Sequence, residues 1–219
     1  MLEITLAGER VQLCEDGALH WPARRTLVLG DPHFGKDDHF RRAGIAVPRG
    51  PTLRDLERVS ARVAASEADR MIVVGDFVHG RTLPGDDLVR QFHRWRAIDP
   101  TIEVVLVTGN HDRHEDWSAW RDLIHVVHGD LHEGPFVFAH EPRPDPRGFV
   151  VAGHLHPVYR DRRLLGARSV RVFWKRADHL VLPSWGEFTG GFAVTPDPAD
   201  GLYACTPEGV LPLQTGKPT

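Results

Sequence analysis

Five short apolar runs in this chain each end on a cluster of carboxylate, amide or imidazole side chains, and this recurrence limits the fold more than any other feature. Leu27-Val28-Leu29-Gly30 runs into Asp31 and His33. Met71-Ile72-Val73-Val74 runs into Gly75-Asp76, with His79 three residues on. Val104-Val105-Leu106-Val107 leads to Gly109-Asn110-His111-Asp112, Phe136-Val137-Phe138 to Ala139-His140, and Phe149-Val150-Val151 to Gly153-His154-Leu155-His156. The runs are short, β-branched or aromatic, and bounded by glycine or polar residues, so they read as buried strands. In α/β sheets ligands gather outside the carboxyl ends of strands, which places all five clusters on one edge. Gly75, Gly109 and Gly153 permit sharp turns and close backbone approach there.

Asp, His and Asn in one cleft suit a particular chemistry. Hydrolysing a phosphoester at neutral pH needs a nucleophile stronger than water and a neutraliser for phosphoryl charge. Two divalent ions roughly 3.5–4 Å apart supply both, with a hydroxide held between them. A carboxylate can bridge such a pair, and imidazoles and an amide oxygen can fill the other positions. The chain has 14 His, and a lone His is ordinarily a surface or hydrogen-bonded core residue. That reading covers His20, His39, His93, His125, His128, His132 and His179, but not the ordered series after successive apolar runs.

From Asp31 to His156 the series resembles the calcineurin-like metallophosphoesterases. The resemblance implies an α/β fold, the four-layer α/β/β/α sandwich. It implies that Asp31, His33, Asp76 and His156 hold one metal and that Asp76, Asn110, His140 and His154 hold the other, with Asp76 as the bridge. Mn²⁺ is the preferred ion; Fe, Zn, Mg and Ni are the alternatives. His111 would then assist the departing oxygen, and Asp112 would orient its imidazole. Asp31-Pro32-His33-Phe34-Gly35-Lys36, the stretch Phe40 to Pro48, and Leu182-Pro183-Ser184-Trp185-Gly186-Glu187-Phe188-Thr189-Gly190-Gly191 further resemble the bacterial ligase-associated DNA damage response endonucleases of the PdeM type. The last two strings contain none of the expected ligands. This narrower resemblance implies DNA as substrate, with an ATP-dependent DNA ligase and a helicase as partners. His79 stands where repair nucleases of the SbcD type carry a His that handles the DNA phosphate; a capping or loop His is the alternative reading.

Charge bears on the substrate. A net charge of −3 argues against wholesale nucleic-acid affinity, which draws on clustered Lys and Arg. The distribution is uneven, however. Arg160, Arg162, Arg163, Arg168 and Arg171 follow the Gly-His-Leu-His motif and are candidate contacts to a DNA backbone. Alternation over residues 170–175 places Val170, Val172 and Trp174 inward and Arg171, Phe173 and Lys175 outward. Phe173 would then offer a stacking face to an unpaired base, favouring single-stranded or gapped DNA.

The length of 219 residues suits one domain, expected over 1–219 with a flexible C-terminal end. No signal-peptide pattern or bilayer-length apolar stretch appears, so a cytoplasmic location is expected, with Cys14 and Cys205 as free thiols. Ile4–Leu6, Val11–Leu13 and Leu19–Trp21 read as a strand meander. Leu53, Leu56, Val59, Ala61 and Val63–Ala65 predict one helix, Leu88, Phe92 and Trp95 a second, and Asp116–Leu123 a short third. Three function classes follow. A DNA phosphodiesterase or endonuclease acting in repair is preferred, then a phosphodiesterase or phosphatase on small nucleotides. A non-catalytic scaffold comes last, because the ligand series is complete.

Overall fold

A computed structural model describes residues 1–82, 86–98, 100–160 and 169–214. The chain opens with the expected antiparallel meander, β1 (Leu2–Leu6), β2 (Glu9–Leu13) and β3 (Leu19–Trp21), and β3 pairs antiparallel with β4 (Thr26–Leu29). From β4 the sheet becomes parallel. Helices α1 (Lys36–Arg42) and α2 (Pro51–Ser66) lead to β5 (Arg70–Val74), α3 (Asp87–Ile98) leads to β6 (Glu103–Val107), and two 3-10 turns lead to β7 (His125–Val127). The strand order in this sheet is that of the sequence, β1 to β7.

The second sheet contains β8 (Leu131–Glu133), β9 (Phe136–Ala139), β10 (Phe149–Ala152), β11 (Pro157–Tyr159), β12 (Val170–Lys175), β13 (His179–Val181) and β14 (Phe192–Ala193). Its order is β14-β11-β12-β13-β10-β9-β8, and β15 (Gly201–Thr206) and β16 (Gly209–Leu213) add on through β12. β9, β10 and β13 run parallel in its middle.

The unbroken apolar runs are explained by burial on both faces of each strand. Leu27, Leu29, Met71, Val73, Val104 and Leu106 pack with Leu56, Val59, Phe92 and Trp95 of α2 and α3. Their neighbours Val28, Ile72, Val74, Val105 and Val107 instead meet Phe136, Phe138, Val151, Leu180 and Leu182 of the second sheet. Two sheets face each other across a shared core with helices outside, which is the expected sandwich; among the described residues the α-helices lie on the first sheet. In α2 the expected helix forms, but its buried stripe is narrower than expected: Leu56, Val59 and Val63 are buried, while Leu53, Ala61, Ala64 and Ala65 face solvent. Its buried Arg62 pairs with Glu15 and Asp16, each at 2.6 Å, and ties the helix to the meander. The helix expected over Asp116–Leu123 is a 3-10 turn, Trp117–Trp120, capped by the Asp116 carboxylate accepting from Ser118 N at 3.0 Å.

One assignment of faces is corrected. Phe173 is fully buried between the sheets with Leu180 and Leu182, so it offers no stacking surface. Val172 is equally buried on the opposite face, against Leu202 and Ala204. Strand alternation is present, but both faces of β12 are covered, and the aromatic belongs to the larger core. Cys14 and Cys205 are unpaired, and no helix among the described residues is long and apolar enough to cross a membrane.

Candidate metal centre

Five parallel strands, three in the first sheet and two in the second, each deliver a cluster to the site. β4 delivers Asp31 and His33, β5 Asp76 and His79, β6 Asn110 and His111, β9 His140, and β10 His154 and His156. The turns that aim them are strained. Among the described residues, eight non-glycine residues have positive φ, and five belong to this site: Asp31 at 43°, His33 at 46°, Asp76 at 44°, His154 at 68° and His156 at 46°. Each such residue costs about 1–3 kcal/mol and persists only where its surroundings over-determine it. Here they do: His154 N donates to Asp31 Oδ2 at 2.7 Å, His111 N to Asp76 Oδ1 at 2.9 Å, and His33 N to the Asp76 carbonyl at 2.9 Å. The glycines serve the same packing. A Cβ on Gly109 would collide with the Asp76 carboxylate, one on Gly153 with Asp31, and one on Gly75 with the His140 ring.

Two donor triads share Asp76. In one, single ligand atoms of His33, Asp76 and His156 all lie within 4.8 Å of one another; in the other, those of Asp76, His140 and His154 do. Oδ2 of Asp76 is 3.7 Å from His33 Nε2, while its Oδ1 is 3.6 Å from His140 Nε2. The two carboxylate oxygens are thus nearest to different triads. Asn110 Oδ1 is 2.8 Å from His140 Nε2, which is 2.9 Å from His154 Nδ1. Asp31 Oδ2 is 3.6 Å from His156 Nε2. All seven expected ligands converge.

Electrostatics supports a cationic guest. Asp31 is wholly buried, burial pushes its carboxyl pKa upward, and its Oδ1 has no hydrogen-bond partner. A buried carboxylate oxygen without a hydrogen-bond partner is costly without a counter-charge. The imidazoles facing Asp31 are His140, Nδ1 at 3.5 Å from Oδ1, and His156, Nε2 at 3.6 Å from Oδ2, while burial, followed by neighbouring His156 and Lys36, lowers the pKa of His33 to about 2. Imidazoles beside carboxylates form a donor set for divalent ions, which bind the deprotonated ligands.

Beside the triads lies a third group. His33, His79 and His111 also bring ligand atoms within 4.8 Å of one another, without a carboxylate. The His79 and His111 rings stack at 5.1 Å and 22°, and His111 is exposed at the mouth. Burial, then Lys36, lowers the His79 pKa to about 4. Between that value and the ordinary 6.5 of an unfolded His, the folded protein binds fewer protons than the unfolded chain at this position. Stability from His79 is therefore full above about pH 6.5 and falls as pH drops toward 4. Removing the group should flatten this arm. Metal-free His79→Gln should gain in Tm relative to the wild type as pH falls from 7 to 4.5, and a constant Tm difference across that range would refute the assignment.

The role expected for Asp112 is corrected. Its carboxylate accepts from the backbone N–H groups of Gly109 at 2.8 Å, Val78 at 3.2 Å and Phe77 at 3.3 Å. It braces the two turns carrying Asp76 and Asn110, rather than the His111 imidazole. His111 and Asp112 are successive residues of the 3-10 turn His111–His114, so with three residues per turn their side chains diverge by about a third of a circle. Burial raises the Asp112 pKa to about 6 against these bonds. Asp112→Ala should leave three buried amides unsatisfied at about 1–3 kcal/mol each. A fall in Tm well beyond that of His111→Ala is the expected result, and equal Tm values would remove the bracing role.

The expected DNA-contacting arginines separate. Arg160 is exposed. Arg162, Arg163 and Arg168 lie outside the described residues. Arg171 turns inward: its Nη1 donates to Ser184 O at 3.1 Å, and burial lowers its pKa. It serves packing because β12 directs it, like Phe173, toward the first sheet. Two features escaped the sequence reading. Ser184 Oγ donates to the Asp31 carbonyl at 2.8 Å, pinning the first ligand turn to the second sheet. Lys36 acts electrostatically on both His33 and His79; its place three residues after His33 was the available signal.

Comparison with known proteins agrees with this geometry. Residues 24–210 match the family described as calcineurin-like phosphoesterase. The crystal structure of Pseudomonas putida nuclease MPE aligns with a TM-score of 0.85 and 34% identity, covering 97% of this chain and 99% of that one. A protein of unknown function from Aquifex aeolicus aligns at TM-score 0.42 and 17% identity over 59% of this chain and 77% of its own. Yfce, a phosphoesterase from E. coli, aligns at 0.41 and 16% over 84% and 90%. No curated protein matches the chain. The ligand series and the two-sheet scaffold therefore have one explanation: the chain belongs to the calcineurin-like phosphoesterase family and is a metal-dependent phosphoesterase.

Proposed function

We propose that this enzyme hydrolyses phosphodiester bonds in DNA with two divalent metals, acting in cytoplasmic DNA repair beside an ATP-dependent DNA ligase and a helicase. The sharing of Asp76 by two donor triads carries the reading, since two sites with one common carboxylate are what a paired-ion centre requires. Asp31, His33 and His156 complete one site, and Asn110, His140 and His154 the other. Mn²⁺ suits these mixed oxygen and nitrogen donors. When bound, the ions neutralise phosphoryl charge and supply a nucleophile at neutral pH.

The protein's own groups do the rest. The backbone N–H of His111 fixes Asp76 Oδ1, which leaves the exposed imidazole free to give a proton to the leaving oxygen. In this reading His79, stacked on that imidazole and in edge contact with His33, holds a non-bridging phosphate oxygen. DNA as substrate is supported by the 34% identity to a nuclease along nearly the whole chain. The small-nucleotide reading is favoured by one observation: Arg171 turns inward, which removes a backbone contact in a chain of net charge −3.

Parallel assays of the Mn²⁺-loaded protein on single-stranded, gapped and duplex DNA and on a small phosphodiester decide between them. Cleavage of single-stranded or gapped DNA that weakens as salt rises is expected. Turnover of the small ester with none of any DNA would transfer the function to small nucleotides.

A further inference from the structure

We infer that Phe40 and Phe188 form a ledge on which an unpaired base next to the scissile phosphate stacks, with Lys36 receiving a neighbouring phosphate. The inference rests on the proposal that DNA is the substrate and specifies how the strand is gripped.

A series of rings leads outward from the metal centre. His33 contacts His79 at 5.3 Å, and His79 stacks on His111. Phe40 of α1 is 5.6 Å from His79, and Phe188 meets Phe40 edge-on at 5.8 Å and 77°. Phe188 is 37% exposed, so one side of its ring is open to a guest. The turn that displays it is firmly held. Trp185 N donates to Gly30 O at 2.7 Å, Glu187 N reaches the Asp55 carboxylate at 3.2 Å, and Thr189 N donates to Gly186 O at 3.2 Å. A ring kept exposed on a braced turn, continuous with catalytic histidines, suits a flat aromatic guest.

The charge beside it suits the rest of a nucleotide. Lys36 Nζ is 5.9 Å from the Phe40 ring centre. Among the described residues it makes no ion pair, whereas nearby Arg41 is held by Asp37 and Asp38 and Arg54 by Glu187. Base stacking on aromatic side chains beside a cationic backbone contact is the ordinary grip on single strands. A base inside a duplex has both faces occupied and reaches such a ledge only after unstacking, so the ledge selects unpaired DNA. It also gives a physical role to the two strings, Phe40–Pro48 and Leu182–Gly191, that contain no metal ligand.

The test pairs a protein deletion with a DNA deletion in the full-length, Mn²⁺-loaded enzyme. Single-stranded oligonucleotides carry one abasic site, placed in turn at each position flanking the cleaved bond. Wild type should lose about 10-fold in kcat/KM at one position. Phe188→Ala should show that loss on intact DNA and no further loss on the abasic strand, while Phe188→Trp keeps the abasic sensitivity. Lys36→Met should flatten the salt dependence by about one unit. Unchanged Tm and metal content in Phe188→Ala show that its fold is kept. An equal abasic penalty in wild type and Phe188→Ala, or no sensitive position, overturns the ledge while leaving DNA as the substrate. A wild type that hydrolyses a small phosphodiester but no DNA overturns the substrate proposal, and the ledge with it.

Discussion

Asp76→Asn should lose both metals together, and with them nearly all phosphodiester hydrolysis. The substitution keeps the shape of the side chain but removes a negative charge that both triads share. Outer-shell partners of metal ligands cost about 10–100-fold in affinity or activity when removed, and a ligand common to two ions should exceed that range. The backbone provides an internal control. His111 N donates to Asp76 Oδ1 at 2.9 Å, a bond the asparagine oxygen still accepts, so the turn should persist and Tm without metal should fall little. Metal content by mass spectrometry, read beside activity, checks the result; an Asp76→Asn protein that binds two ions and works at full rate would remove Asp76 from the bridge.

His111→Ala should divide binding from chemistry. The imidazole is exposed and lies outside both shared triads, and alanine retains the N–H that fixes Asp76. Both metals should therefore remain. Turnover on DNA should fall by roughly 10²–10⁴-fold, the usual contribution of a positioned acid or base. Nitrophenol leaves readily without a proton, so the loss on a nitrophenyl phosphodiester should be much smaller. Equal losses on good and poor leaving groups would assign His111 to phosphate binding instead.

The convergence of the clustered side chains on one site was legible because each cluster follows the end of a strand, and strands buried on both faces are written as continuous apolar runs. Asp31, Asp76, Asn110, His140 and His154 follow directly from that pattern. Phe173 and Arg171 were placed on the wrong side because alternation fixes the period of β12 but not which face meets the other sheet when both are covered. Asp112 beside His111 invited an imidazole–carboxylate pair, yet adjacent residues of a 3-10 turn project in different directions, and three buried amides claimed the carboxylate first. β7 and β8, at three residues each, are too short to show a period. The Phe40–Phe188 contact joins residues nearly 150 positions apart, brought together by tertiary contacts such as the parallel bridge of Gly30 with Ser184 and the bond from Glu187 N to Asp55.

The paired-ion centre is tested most directly by anomalous diffraction from crystals of the wild-type protein loaded with Mn²⁺. Two peaks roughly 3.5–4 Å apart are expected, one beside His33 and His156 and the other beside His140 and His154, with the two Asp76 oxygens between them. A single peak, or two peaks without a common Asp76 ligand, would show that the shared carboxylate does not build a two-metal site.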